Sequence, residues 1–114
     1  MFGLFKKAEV DASKVTAFVE WFRENEERVR KSVENKDNDH DEMMRVLDEV
    51  ELELAKVYRD GYKGEIEFDY GGKDQEWELN LYHLNKKFLV AATQMIAEEF
   101  TKAEIPYWTI NIDE

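Results

Sequence analysis

The stretch that decides the fold reads EIEFDY at positions 65–70, GGKD at 71–74 and EWELNL at 76–81. Polar and apolar residues alternate strictly in the first and third segments, and a period of two is typical of half-buried β-strands. The glycine-containing segment between them predicts a four-residue hairpin loop. This loop would set Phe68 opposite Trp77 and Ile66 opposite Leu79, with Tyr70 opposite Gln75, so the apolar side chains of both strands share one face.

The other face of this hairpin is predicted to be acidic. The expected register places three polar pairs there: Glu67 with Glu78, Asp69 with Glu76, and Glu65 with Asn80. Like charges directly opposite one another are destabilising, so two such pairs side by side are unusual. We interpret them as a platform for a basic protein or a cation, edged by Tyr82 and, if the last strand joins nearby, by Tyr107. The alternative is that the charges keep the sheet from stacking or pairing with another sheet.

Helical periodicity occupies the rest of the chain. Residues 14–34 predict a first helix, residues 41–59 a second and residues 86–102 a third, because apolar residues recur there every three or four positions. The polar turn at 35–39 joins the first two as an antiparallel pair. The expected core positions are Val15, Phe18, Val19, Phe22, Val29 and Val33 in the first helix; Met43, Leu47, Val50, Leu54 and Val57 in the second; and Phe88, Leu89, Ala92, Met95, Ile96 and Phe100 in the third.

Helix ends are predicted from their capping residues. Ser13 or Asp11 can cap the first helix, and Asp39 followed by a glutamate three residues later resembles a capping box for the second. Gly61 is expected to close the second helix in a left-handed conformation. Asn85 is a candidate cap for the third helix.

A final strand is predicted from Pro106, with Trp108, Ile110 and Ile112 facing the core. The order ααββαβ indicates an α+β domain, with helices packed on one face of a three-stranded, mainly antiparallel sheet. We expect residues 13–114 to form this single domain and residues 1–12 to be flexible or loosely docked. The sheet would keep two open edges, and an open edge permits homodimerisation.

Composition excludes several classes of function. The chain has 114 residues with 27 acidic and 16 basic side chains, a net charge of −11 and no cysteine. Nucleic acids and anionic membranes are poor partners for such a chain because both carry negative charge. Disulfides and thiolate metal sites are excluded. No apolar run approaches a membrane span, and the start, MFGLFKK, does not read as a secretory signal, so we expect a cytoplasmic protein.

No catalytic motif is present. H-E-x-x-H, P-loop, G-x-G-x-x-G and G-x-S-x-G patterns are absent from the sequence, so we expect no enzyme, no cofactor and no metal site. Residues 37–41 resemble the opening of a calcium loop, but Glu42 replaces its glycine and Asp48 its bidentate glutamate. The alternative to a binding protein is a small-molecule-binding or weakly hydrolytic site around His83, which requires a pocket between helices and sheet.

The segment FVEWFRENE at 18–26, together with WTI at 108–110, resembles a group of small bacterial proteins without an assigned function. The resemblance implies no activity and supports the α+β architecture. We expect Trp21 to lie at the rim of the apolar face of the first helix, available for contact. The leading hypothesis is a non-catalytic, immunity- or inhibitor-like interaction module that binds a basic partner. Its candidate contacts are Glu65, Glu67, Asp69, Glu76, Glu78, Tyr82, Tyr107 and Trp21.

Overall fold

The computed structural model describes residues 9–114. Its elements follow the predicted order: α1 (Ala12–Glu34), α2 (His40–Tyr58), β1 (Phe68–Lys73), β2 (Glu76–Tyr82), α3 (Lys87–Ala103) and β3 (Trp108–Asp113). The prediction for residues 1–12 falls mostly outside the described residues. Within its described part, Val10 packs against the core and Asp11 caps α1.

The sheet is mixed, with β2 in the centre of the order β1-β2-β3. β1 and β2 are antiparallel, whereas β2 and β3 run parallel. The expectation of a mainly antiparallel sheet therefore needs correction for the second pair. The physical reason is α3, which carries the chain back along the sheet, as the connection between parallel neighbours requires.

The hairpin is tighter than predicted. Only Asp74 and Gln75 form the turn, and Asp74 adopts a left-handed φ of 58°. The two glycines lie inside β1, and Phe68 pairs with Leu81 instead of Trp77. β1 gains three residues at the turn, and the side chains of both strands keep the predicted faces because the register shifts by an even number of residues.

The slip removes the unfavourable charge pairs. Glu76 lies opposite Lys73, Glu78 lies opposite Gly71, and Asp69 lies opposite Asn80. The predicted pairing of carboxylates with carboxylates is thus wrong, because this register replaces repulsion with neutral or opposite-charge neighbours.

Glycine at position 72 makes the observed register possible. A Cβ there would lie 2.4 Å from the Glu76 carbonyl oxygen and 2.8 Å from the Trp77 ring. The indole of Trp77 packs over the bare backbone, which no larger residue would permit.

A second close approach is at Gly61, where a Cβ would lie 2.2 Å from the Phe88 ring. Gly61 does not take the predicted left-handed conformation, so it serves helix packing instead of the cap.

Two of the predicted caps are present. The carboxylate of Asp11 accepts a hydrogen bond from the backbone N–H of Ser13, and that of Asp39 accepts one from Glu42. Residues 35–39 thus form a turn and a cap. Asn85 is not the cap of α3, because that position falls to Lys86, which makes no side-chain cap bond.

The core lies between the helices and the inner face of the sheet. The buried face of α2 is rotated slightly from the predicted one. Val46 and Tyr58 are buried, while Met43 and Leu47 are half-buried. Aromatic rings fill the centre of this layer. Phe22 on α1 contacts Phe100 on α3, with centroids 5.1 Å apart, and Trp108 on β3, with centroids 4.8 Å apart. Trp77 lies 5.6 Å from Trp108 between centroids.

Candidate functional site

The candidate site is the outer face of the sheet, which the helices do not contact because they pack on the inner face. Alternation along each strand decides which side chains reach it. We use the name outer face for the following set: Asp69, Gly71 and Lys73 from β1; Glu76, Glu78, Asn80 and Tyr82 from β2; and Thr109, Asn111 and Asp113 from β3.

A line of hydrogen bonds crosses all three strands on this face. The Asn111 amide donates to the Asn80 amide oxygen over 2.9 Å, and the Asn80 amide donates to an Asp69 carboxylate oxygen over 2.6 Å. The Tyr82 hydroxyl donates to the other Asp69 oxygen over 2.9 Å. These bonds hold four exposed or half-exposed polar side chains in fixed positions, so this part of the surface is ordered before any partner binds.

The face is strongly acidic. Asp69, Glu76, Glu78 and Asp113 contribute four carboxylates, against one ammonium group from Lys73. Hydrogen bonding to Asp69 is the main cause that raises the pKa of Tyr82 above its usual value, and the charges of Asp69 and Asp113 act in the same direction. The phenol therefore remains a neutral donor within a negative field.

Two further predicted site residues lie just before β1. Glu65 and Glu67 are exposed, and the Glu67 carbonyl oxygen accepts a bond from the Tyr82 backbone N–H over 3.2 Å. Both line a shallow depression with Tyr62, Asp69 and Tyr82. They therefore extend the acidic surface beyond one end of the outer face instead of pairing across the hairpin.

Tyr107 stands at the opposite end, just before β3. Its backbone has a left-handed φ of 73°, a strained conformation for an aromatic residue. The Arg30 guanidinium lies 4.9 Å from its ring centroid, and Arg30 is held in turn by Glu26 over 2.7 Å. Tyr107 is 43% exposed and shares a depression with Glu76 and Glu78. Tyr107 is thus a positioned aromatic group at the margin of the outer face.

Trp21 is not part of this surface. It lies on α1, in the layer on the other side of the sheet, where it is half-buried against the core and contacts Phe22 edge to face at 6.5 Å. Its expected rim position is therefore observed, but the structure does not bring it to the seven other candidates.

The sequence did not indicate the asparagine line or the support of Tyr107 by Arg30. Asn80 and Asn111 have the outward parity in their strands, and that signal could have suggested a contact if the parallel pairing of β2 and β3 had been known. Arg30 and Tyr107 are 77 positions apart, and no local pattern connects them.

The hydrogen bonds of His83 hold the local backbone. Its Nδ1 accepts from the backbone N–H of Asn85 over 3.0 Å, and the backbone N–H of His83 donates to the Asp113 carbonyl oxygen over 2.9 Å. The space between helices and sheet, where the alternative hypothesis needs a pocket, is occupied by Trp77, Trp108 and Phe100, all buried. Within residues 9–114, no group of three or more acidic, histidine or cysteine side chains is arranged to hold a metal ion.

Comparisons of the chain with protein-family models, curated proteins and solved structures found no match. The candidate site therefore stands on its geometry alone. In the described part of the chain, none of the helices combines the length and the apolar character needed to cross a membrane.

Proposed function

We propose that this chain is a non-catalytic interaction module that binds a basic protein through the outer face. The observation that carries the proposal is a sheet surface that no helix of residues 9–114 covers and on which carboxylates outnumber ammonium groups four to one, with Asp69 held between Asn80 and Tyr82. Glu65 and Glu67 extend the acidic field at one end. As part of the proposal, the module acts in the cytoplasm, in keeping with a fold that uses no disulfide.

Charge complementarity is the chemical basis of this choice of partner. A surface of one sign attracts the opposite sign over long range and accelerates association, and the effect decreases with ionic strength. Rigid side chains lose little conformational entropy on binding, so the hydrogen-bonded line at Asp69 supports specificity as well. Tyr107 offers an exposed aromatic anchor of the kind that is enriched among residues dominating interface energies. An immunity-like or inhibitor-like protein combines these properties.

The test is affinity capture from a lysate of the source organism at low and at high salt. We expect the wild-type chain to retain a basic protein at low salt, and the double variant Glu76→Lys/Glu78→Lys to lose it. The matched control is Glu51→Lys/Glu98→Lys, which changes the charge equally at exposed helix positions. The control should retain the same protein.

Two results would contradict the proposal. One is a captured protein that both double variants retain equally, because the outer face would then play no part. The other is equal loss in both double variants, because net charge alone would then explain the binding.

The hypothesis of a ligand site around His83 gains no supporting observation. The aromatic side chains fill the required space, and the Nδ1 atom is used to hold the turn before α3.

A further inference from the structure

β3 forms one edge of the sheet. Trp77 donates its backbone N–H to Tyr107, and His83 donates to Asp113, so the odd-numbered residues of this segment face β2. The backbone groups of Trp108, Ile110 and Ile112 consequently point away from the sheet, because they alternate along a strand. Among residues 9–114, no strand pairs with that side.

Most of this edge lacks the usual protection. Strand edges in soluble proteins are normally shielded by charged residues, proline or a bulge. Residues 108–112 read WTINI, with no charge, proline or glycine; the one charged residue of β3, Asp113, is the last of the strand, and Ile112 is 38% exposed. The opposite edge differs, because β1 contains Asp69, Lys73 and two glycines. Of the two edges, β3 is the one suited to accept another strand.

We infer that two copies of this chain pair through antiparallel β3 strands, related by a twofold axis at Ile110. The inference is independent of the proposed function. In this register the outward backbone groups of Ile110 meet those of Ile110 in the second copy, and Trp108 meets Ile112. On the inner side, apolar residues therefore meet apolar residues.

The outer side is also self-complementary in this register. Thr109 lies opposite Asn111 of the second copy, and Asp113 lies opposite Tyr107, so no two carboxylates of β3 oppose each other. The result is a continuous six-stranded sheet that covers Ile112 and joins the two outer faces. A second copy fits this edge because the strand complements itself in polarity, charge and hydrogen bonding.

Sedimentation equilibrium tests the inference. With rising concentration, the wild-type mass should increase from 13.6 kDa towards twice that value. Salt should strengthen the dimer, because each chain carries a net charge of −11 and screening weakens the repulsion. Binding of a basic partner has the opposite salt dependence, so the two proposals fail separately. A monomer at all concentrations in high salt would overturn the inference.

Two variants locate the contact. Ile112→Lys places a charge at the free edge and should raise the dimer dissociation constant at least tenfold. Leu52→Lys is its matched control, because Leu52 is a large apolar residue on α2 that is 66% exposed. It should dimerise like the wild type. Weaker dimerisation in Leu52→Lys than in Ile112→Lys would place the contact on the helices and reject the edge pairing.

Cross-linking tests the register, since the chain has no cysteine of its own. Facing residues that are not directly hydrogen-bonded lie about 4.5 Å apart between Cα atoms, within the range of a disulfide. A mixture of Thr109→Cys and Asn111→Cys chains should therefore form a disulfide-linked dimer under mild oxidation. Each variant alone should cross-link far less, because its cysteines are diagonal neighbours about 7–8 Å apart. Equal cross-linking in all three samples would reject this register.

Discussion

Trp108 donates its indole N–H to a carboxylate oxygen of Glu26 over 3.0 Å, and so joins two residues 82 positions apart in the chain. The same Glu26 oxygen accepts from Arg30 over 2.7 Å, and Arg30 lies over the Tyr107 ring. One carboxylate on α1 thereby fixes both the start of β3 and the aromatic residue at the margin of the outer face.

Replacing Glu26 should therefore be costly. Glu26→Ala leaves the Arg30 guanidinium and the Trp108 N–H without their acceptor in a mostly buried setting, and we expect a loss of about 1–3 kcal/mol in the free energy of unfolding. Urea denaturation followed by tryptophan fluorescence measures it. Glu27→Ala is the control, because Glu27 pairs with Lys31 at the same spacing but in solvent. Its effect should be much smaller than that of Glu26→Ala, because solvent screens an exposed ion pair.

The two glycines of β1 should respond differently to alanine. Gly72→Ala forces a Cβ against the backbone of Glu76 and Trp77, and we expect destabilisation by about 1–3 kcal/mol. Gly71→Ala meets no atom within 4 Å and should be neutral or stabilise the fold by up to about 1 kcal/mol. Thermal or urea unfolding of both variants gives the comparison. Equal effects would contradict the observed register.

The hydroxyl group of Tyr58 is fully buried and has no hydrogen-bond partner among the described residues. Tyr58→Phe removes this unsatisfied group with almost no change in shape, so the variant should be as stable as the wild type or more stable at neutral pH. Chemical denaturation at pH 7 measures the difference. A marked loss of stability would show that the hydroxyl has a partner that the geometry does not reveal.

Alkaline pH should destabilise the fold through its buried tyrosines. Burial raises the pKa of Tyr70 to about 12 and also raises that of Tyr58. In the unfolded chain both groups ionise near their ordinary value of 10, so the unfolded state releases protons first. The stabilisation is complete below pH 10 and decreases as the pH rises towards 12. Denaturation midpoints across this range should fall, and less steeply in Tyr70→Phe.

The hydrogen bond between Tyr82 and Asp69 should be detectable in the titration of the Tyr82 phenol. Asp69→Asn removes the negative acceptor, so the pKa of the Tyr82 phenol should fall towards its ordinary value. Ultraviolet absorbance titration of tyrosinate, with Tyr82→Phe to assign the band, measures the shift. Asp41→Asn is a suitable control, because this exposed carboxylate lies at the start of α2. An unchanged titration in Asp69→Asn would contradict the bond.

Much of the fold could be predicted because periodicity is a local property. The six elements, their order and most core positions follow from where apolar residues recur, and Phe22, Val50 and Ile96 are buried as expected. The hairpin register could not be predicted in the same way. The Gly71-Gly72 pair is typical of a turn, but Gly72 is needed under the Trp77 ring, a contact between strands that local pattern does not encode.

The candidate site could also be predicted only in part. Asp69, Glu76, Glu78 and Tyr82 share a face because strand parity survives the two-residue change in the turn. Which of them are neighbours was predicted wrongly, because neighbours depend on register. The parallel pairing of β3 with β2 depends on the path of α3 across the sheet. The contact between Asn80 and Asn111 depends on this pairing and could not be predicted either.

The central position of β2 also has a kinetic consequence. Its contact with β1 closes a two-residue turn, whereas its contact with β3 joins Trp77 to Trp108 across an intervening helix. Short loops close quickly, whereas strands that are distant in sequence pair slowly. The hairpin should therefore form early during folding, before β3 pairs with it. During that interval Leu79 and Leu81 lie on an unfinished edge, so the nascent chain is most exposed to aggregation before β3 docks.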